Sequence, residues 1–185
     1  MTRSLPIAAL LIFTVACNSN KTEPAAEATT VAPATETPVS SPTPPHEYAV
    51  KATYSSAFEI GDHKLGDIVV ELWKQYDDNT LDKGLDYFAD TVTMWMADGW
   101  RFHGTRDSLM KLTKKSRADY SSMKAVVVAI VPLKSTDKNE NWVSIYGTEY
   151  STMKNKKDSA DIQENWMFDK NGKVAMMHSY RRKIK

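Results

Sequence analysis

The stretch from Asn141 to Lys185 constrains the fold more than any other part of the chain. It holds three runs that alternate between polar and apolar residues: Trp142–Met153, Ser159–Phe168 and Lys173–Arg182. Short polar breaks at positions 154–157 and 169–172 separate them, and the second contains Asn171-Gly172, a strong hairpin signal. The sequence therefore predicts a C-terminal meander of three antiparallel strands.

Helices are predicted before the meander. Asp62 can cap a helix from about His63 to Asp78, whose apolar residues recur at helical spacing on one face. Thr80 can cap a short second helix, and Thr105 a third that ends near Tyr120.

Strand signals fill the remaining gaps. Asp98-Gly99 predicts a type I′ hairpin between Val92–Ala97 and Trp100–His103, and Met123–Leu133 is a long β-branched run. The predicted order is helix, helix, hairpin, helix and then about four long strands.

The first 17 residues contain Arg3, the apolar run Leu5–Ala16 and Cys17, the only cysteine of the 185 residues. The run is too short for a permanent membrane span and predicts a signal peptide. It resembles a bacterial lipoprotein signal, in which the cysteine is lipidated and becomes the mature N-terminus. The resemblance implies an extracytoplasmic lipoprotein on the cell membrane or outer membrane; an ordinary secretory signal with an incidental cysteine is the alternative.

Residues 18–47 are rich in Pro, Thr, Ala and Glu, which predicts a disordered tether. The globular domain is then assigned to residues 48–185. Tyr48–Phe58 can either pack on this domain or extend the tether.

A family resemblance rests on two segments. Leu81–Leu109, with Phe88-Ala89-Asp90 and then Gly104-Thr105 opening a helix, is similar to nuclear transport factor 2-like (SnoaL-like) domains. So is the ending from Trp166 to Val174. The resemblance implies an α+β cone fold, in which three N-terminal helices pack in a strongly curved antiparallel sheet of about six strands, with a pocket at its open end. Members of the family often dimerise through the outer face of the sheet.

Strand parity sorts the meander into two faces. We expect one to pack against the helices; it carries Val143, Ile145, Gly147, Glu149, Ile162, Glu164, Trp166, Phe168, Ala175, Met177, Ser179 and Arg181. The other has polar-tipped aromatics, which suit a dimer interface; it includes Tyr146, Tyr150, Met167, Met176 and Tyr180.

Glu149 and Glu164 are the candidate catalytic residues. With a four-residue first turn, Glu164 lies opposite Gly147 and Glu149 is its diagonal neighbour, with Arg181 close by. Repulsion and desolvation would raise the pKa of at least one carboxyl, which suits acid–base chemistry or a cationic or hydroxylated ligand. The alternative is a structural ion-pair cluster at the rim.

Five residues are predicted to contact a ligand: Trp95, Trp166, Met177, Arg181 and His103. Asp98 is assigned to its turn instead. The histidines lack metal-ligand spacing and no nucleotide motif occurs, so we expect no metal and no cofactor. A net charge of +1 gives no reason to expect nucleic acid as a partner.

Two functions remain open. We favour a membrane-tethered module that binds a small amphipathic molecule or a protein partner in the pocket. The alternative is a SnoaL-type hydrolase, cyclase or isomerase that uses the two glutamates. Steroid isomerase chemistry is not expected, because alignment with that family puts Met96 at the position of its basic aspartate and Leu72 near that of its oxyanion-binding tyrosine.

Overall fold

A computed structural model describes His46 and residues 48–184. The predicted signal peptide over residues 1–17, including Cys17, and all of the predicted tether except His46 lie outside the described residues. In the part of the chain that is described, no helix is long and apolar enough to cross a membrane.

The long helices begin where their caps predict. Helix α1 spans His63–Asp78, and the Asp62 side chain accepts a hydrogen bond from the Lys64 N–H group. Helix α2 spans Arg106–Arg117, capped by Thr105, and ends before the expected Tyr120. Both starts are confirmed, because a capping bond depends only on neighbouring residues.

The short second helix is a 3₁₀ helix over Leu81–Tyr87, and the Thr80 side chain makes no capping bond. Gly84 in its middle lies against α1, where an added Cβ would be 2.4 Å from Gln75 Oε1. The predicted Thr80 cap is therefore wrong, and this tight turn is held by packing against α1.

Seven strands form one sheet: β1 (Phe58–Ile60), β2 (Phe88–Trp95), β3 (Arg101–Thr105), β4 (Tyr120–Ser135), β5 (Glu140–Met153), β6 (Lys156–Phe168) and β7 (Val174–Lys183). Their order in the sheet is β1-β4-β5-β6-β7-β2-β3. The C-terminal meander is confirmed as β5, β6 and β7.

The predicted sheet needs two corrections. The additional strand is β1, in which Phe58 pairs with Ser135, so the end of the segment before α1 packs on the domain. The sheet is also not wholly antiparallel, since β2 runs parallel to β7. Hairpin signals report pairing between strands that are adjacent in sequence and cannot set the direction of this distant pair.

The turn between β5 and β6 has two residues, Lys154 and Asn155, with φ angles of 50° and 63°. The break was predicted over four residues. Because the loop is two residues shorter, the register moves by two, and Glu164 pairs with Ile145 instead of Gly147. The predicted faces survive because a shift of two leaves the alternation unchanged.

The other two turns also differ from the sequence prediction. Only the glycines of Asp98-Gly99 and Asn171-Gly172 have positive φ, so neither pair forms a type I′ turn. After the second turn the register shifts between Met167 and Phe168, and Val174 becomes buried in place of the predicted Ala175.

The core lies between the helices and the inner face of the sheet. A register shift between Val127 and Ala129 interrupts β4, which is the kind of irregularity that bends a strand. The core residues are Val69, Leu72, Leu81, Phe88, Val92, Met94, Leu109, Met110, Val143, Ile145, Trp166, Phe168, Val174 and Met177. The structure is thus α+β, with three helices against a curved, unclosed sheet.

Candidate functional site

A cavity of about 640 Å³ lies between the helices and the inner face of the sheet. Its walls are largely apolar and aromatic, and they include Leu72, Trp73, Tyr76, Phe88, Met94, Trp100, Leu109, Met110, Ile162, Trp166 and Met177. Cavities of this size and lining are typical of sites for small molecules.

Glu164 is a charged residue that is hydrogen-bonded to the aromatic side chains of this wall. It is half-buried on β6, and its Oε2 atom accepts two hydrogen bonds from indole groups. Trp73 Nε1 of α1 donates at 2.6 Å and Trp166 Nε1 of β6 donates at 3.1 Å. Both indole bonds end on the same oxygen, which leaves the other carboxylate oxygen, Oε1, without an indole partner.

Burial raises the pKa of Glu164 from its ordinary value of 4.5 to about 7. The negative charge of Glu149 adds to this rise, while hydrogen bonds from Trp73, Trp166 and Ser179 oppose it. Near neutral pH this carboxyl can therefore be present with or without its proton, which general acid–base catalysis requires.

Gly147 makes room for the indole of Trp73. An added Cβ at this position would lie 2.7 Å from Trp73 Cζ3 and 2.7 Å from the carbonyl oxygen of Val126. The glycine thus lets the ring lie against β5 with its Nε1 atom directed at Glu164.

Glu149 and Arg181 form a second polar group in the cavity. Arg181 Nη2 lies 3.2 Å from Glu149 Oε1 and 3.4 Å from Asp158 Oδ2. Burial raises the pKa of Glu149, and Arg181 partly reverses that rise.

The two glutamates are not diagonal neighbours, as the sequence had suggested. Glu149 pairs with Ala160, four residues along β6 from Glu164, which places their backbones about 13 Å apart. Both line the cavity, but Glu164 is bonded to indoles and Glu149 to a guanidinium.

The predicted ligand-contacting residues divide between the two faces. Trp166, Met177 and Arg181 line the cavity, whereas Trp95 and His103 do not.

Trp95 and His103 lie on the outer face because of the register of their hairpin. His103 pairs with Thr93, and not with Met94 as expected, so Phe102 takes the inward position opposite Met94. Trp95 stacks on His178 with ring centroids 4.1 Å apart. The prediction that they reach the pocket is thus wrong in this structure.

Sequence reasoning missed the roles of Trp73, Gly147 and Ser179. The helical spacing placed Trp73 on the apolar face of α1. Its indole N–H group, which usually finds a hydrogen-bond partner when buried, was the signal that could have pointed to a polar contact. That this edge meets Glu164, 91 positions away, could not be inferred from the spacing.

Asp98 lines the mouth of the cavity but also accepts a hydrogen bond from the Trp100 N–H group, the turn role expected for it. Among the described residues, no group of three His, Cys, Asp or Glu side chains is arranged to hold a metal ion.

Solved structures with the same fold are numerous, although their sequences differ. A protein named as a SnoaL-like polyketide cyclase from Shewanella denitrificans superposes with a TM-score of 0.54 at 8% identity, covering 65% of this chain and 92% of that one. An LEH-like epoxide hydrolase from M. tuberculosis gives 0.53 at 11% identity over 64% and 83%. A nuclear transport factor 2-like protein of unknown function from Exiguobacterium gives 0.52 at 15% identity over 64% and 98%.

No protein-family model matches the chain, and no curated protein is similar to it in sequence. The domain has the nuclear transport factor 2-like, SnoaL-like fold that its sequence predicted. At identities this low, the likeness establishes the fold and not the chemistry.

Proposed function

We propose that the domain binds a small amphipathic molecule in its cavity, with the apolar part against the aromatic wall and a polar group at Glu164. The observation that carries this proposal is the placement of Glu164, one partly accessible carboxylate among apolar side chains with both indole bonds on Oε2. A ligand that hydrogen-bonds to this carboxyl gains affinity and orientation, because the surrounding wall is largely apolar.

Native mass spectrometry of the chain purified from its own cells tests this proposal. We expect a retained small molecule, and we expect Met177→Glu, which places a charge in the apolar wall, to release it. Val50→Glu is the matched control because Val50 is 83% exposed, does not line the cavity and lies outside the strands of the sheet. Retention by neither the wild-type chain nor the control would contradict the proposal.

A second function, acid–base catalysis in the cavity, is favoured by one specific observation. The pKa of Glu164 is about 7, so the residue can accept and return a proton near neutral pH. Two of the structural neighbours are named as a polyketide cyclase and an epoxide hydrolase. If the bound molecule is a substrate, the wild-type chain will convert it and Glu164→Gln will retain it unchanged.

We further propose that Cys17 carries lipid and tethers the domain to a membrane outside the cytoplasm. This proposal rests on the apolar run before Cys17 and on the Pro-rich segment after it. Cys17→Ala should abolish labelling by radioactive palmitate and move the protein to the soluble fraction or block its processing. Unchanged membrane fractionation without a lipid label would contradict the proposal.

The outer face of the sheet is proposed as the contact between two copies of the domain. Tyr146, Tyr150 and Tyr180 are 38%, 51% and 56% exposed there, together with Val126 and Val128 of β4, which are 49% and 72% exposed. Tyr146→Glu combined with Met176→Glu should give a monomer in sedimentation. A wild-type chain that is already monomeric at high micromolar concentration would rule out this contact.

A further inference from the structure

We propose that the molecule bound in the cavity is cationic, an ammonium group carried on an apolar body. This inference rests on the proposed binding function and adds the chemical class of the ligand. It follows from the charged residues that line the cavity, from the ion pairs that these residues do or do not make, and from the aromatic rings in the same lining.

The charged residues that line the cavity are mostly acidic. Five carboxylates stand against two basic groups; they are Asp77, Asp98, Asp119, Glu149 and Glu164 against Lys115 and Arg181. A cavity whose lining has this charge attracts cations and repels anions, and its low-dielectric walls strengthen the effect.

The basic groups do not neutralise Glu164. Arg181 is engaged by Glu149 and Asp158, and Lys115 is an exposed residue at the mouth. Across the described residues, no ion pair includes Glu164, whose hydrogen bonds to Trp73 and Trp166 come from neutral groups. Glu164 therefore has no cationic partner within the described part of the chain.

Two aromatic rings contact this carboxylate and three more line the same cavity. Trp73 and Trp166 reach it directly, and Tyr76, Phe88 and Trp100 line the same cavity. Ring faces attract ammonium groups, and the attraction is strongest for tryptophan and where water is excluded. Carboxylate and aromatic groups together recognise an organic cation better than either a neutral or an anionic head group.

A head-group series tests the inference in the full-length chain carrying Cys17→Ser, which takes no lipid. The probes are n-decylamine, n-decanol and sodium decanoate, which share one chain length, used below their critical micelle concentrations in titration calorimetry at pH 8. We expect decylammonium to bind roughly tenfold more tightly than decanol, and decanoate to bind most weakly. Equal binding of all three, or tighter binding of decanoate, would overturn the cationic assignment and leave the amphipathic site intact.

If none of the three probes binds, the proposed binding function and the cationic assignment both fail. If the probes bind without a preference for decylammonium, only the cationic assignment fails, so the two failures are distinguishable. Glu164→Gln should remove the preference for decylammonium over decanol, since the amide keeps the shape but not the charge. Glu59→Gln is the matched control, because Glu59 is exposed on β1 outside the cavity. The wild-type head-group series decides the question even if Glu164→Gln does not fold.

The pH dependence gives an independent readout. The charged groups facing the cavity are Asp77 of α1, Asp98 of the β2–β3 loop, Lys115 and Asp119 at the end of α2, Glu149 of β5, Glu164 of β6 and Arg181 of β7. Decylammonium binds the ionised carboxylate, so its affinity should rise as the pH increases from 6 to 8, and Glu164→Gln should flatten the rise. An affinity that falls over this range would overturn the assignment of the ionised Glu164 carboxylate as the group that binds the ammonium.

Discussion

The two sides of the sheet use tryptophan differently. On the inner side the Nε1 atoms of Trp73 and Trp166 both donate to Glu164. On the outer side Trp95 is 43% exposed and stacks on His178, and Trp142 Nε1 is buried without a hydrogen-bond partner. The inner rings therefore hold a titratable group in place, whereas the outer rings contact mainly one another.

The inner side of the sheet is suited to proton transfer or ligand binding, whereas the outer side is suited to contact with another protein surface. A carboxyl whose pKa burial raises to about 7 can exchange a proton or pair with a cation, and it lies only on the inner side. On the outer side, burial lowers the pKa of His178 and so favours the neutral ring that stacks on Trp95. Rings with exposed apolar surface and few fixed polar partners are the composition of a contact surface.

The largest expected effect is on stability, when a buried ring of the inner side is removed. Removal of an exposed ring from the outer side is the comparison. Trp166 is 5% exposed, and Trp166→Ala should cost about 3 kcal/mol or more of unfolding free energy, because a large buried ring and a hydrogen bond are lost. Trp95→Ala should cost about 1 kcal/mol or less. Urea unfolding of both variants measures the gap, and equal losses would erase the distinction between the sides.

The next effect is the pH dependence of stability. Since the pKa of Glu164 is raised on folding, the folded chain holds this proton between pH 4.5 and about 7 and the unfolded chain does not. The stabilisation is present at low pH and is lost as the pH rises through about 7, by at most about 3 kcal/mol.

Glu164→Gln isolates that contribution. The amide oxygen can still accept the indole bonds, so the variant should match the wild type near pH 5 and become relatively more stable toward pH 8. Urea unfolding of both proteins across this pH range gives the difference in unfolding free energy. Glu149 titrates in both proteins, so its contribution to the difference largely cancels. Clear destabilisation at pH 8 would instead mean that the ionised carboxylate stabilises the fold through its bonds to Trp73 and Trp166.

Gly147→Ala tests how Trp73 is positioned. The added methyl group meets the indole and the Val126 carbonyl oxygen at 2.7 Å, so we expect a loss of about 1 to 3 kcal/mol. Displacement of Trp73 should also raise the pKa of Glu164, because the Trp73 bond lowers it. NMR titration of the Glu164 carboxyl measures this shift, and an unchanged pKa would mean that the indole keeps its place.

The smallest effect is expected at the edge of the cavity. Arg181→Gln removes partly exposed ion pairs to Glu149 and Asp158 and should cost about 1 kcal/mol or less. The pKa of Glu149 should nevertheless rise, since Arg181 lowers it. Arg182→Gln is the matched control, because Arg182 pairs with Asp161, and it should leave the pKa of Glu149 in place.

Much of the fold could be predicted because the signals are local. Asp62 and Thr105 mark the starts of α1 and α2 through bonds to residues two or three positions away. The period-two alternation of β5, β6 and β7 sorts their residues into faces, and that sorting survives a register shift of two. The cavity positions of Glu149, Glu164, Trp166 and Met177 follow from this alternation alone.

The partners of those residues depended on contacts that local signals do not specify. Two residues fewer in the turn at Lys154-Asn155 moved Glu164 from Gly147 to Ile145 and away from Glu149. The hairpin of β2 and β3 turned Phe102 inward and left His103 outside.

The sequence by itself determined which residues of the meander face the helices, because side chains alternate along any strand whatever its neighbours are. Only the tertiary structure decided what each inward residue meets. Trp73 reaches Glu164 across 91 positions because α1 packs on β5 at a glycine, and β2 joins β7 in parallel without a turn between them. Such pairings arise from packing the whole domain at once, so no short stretch of the chain encodes them.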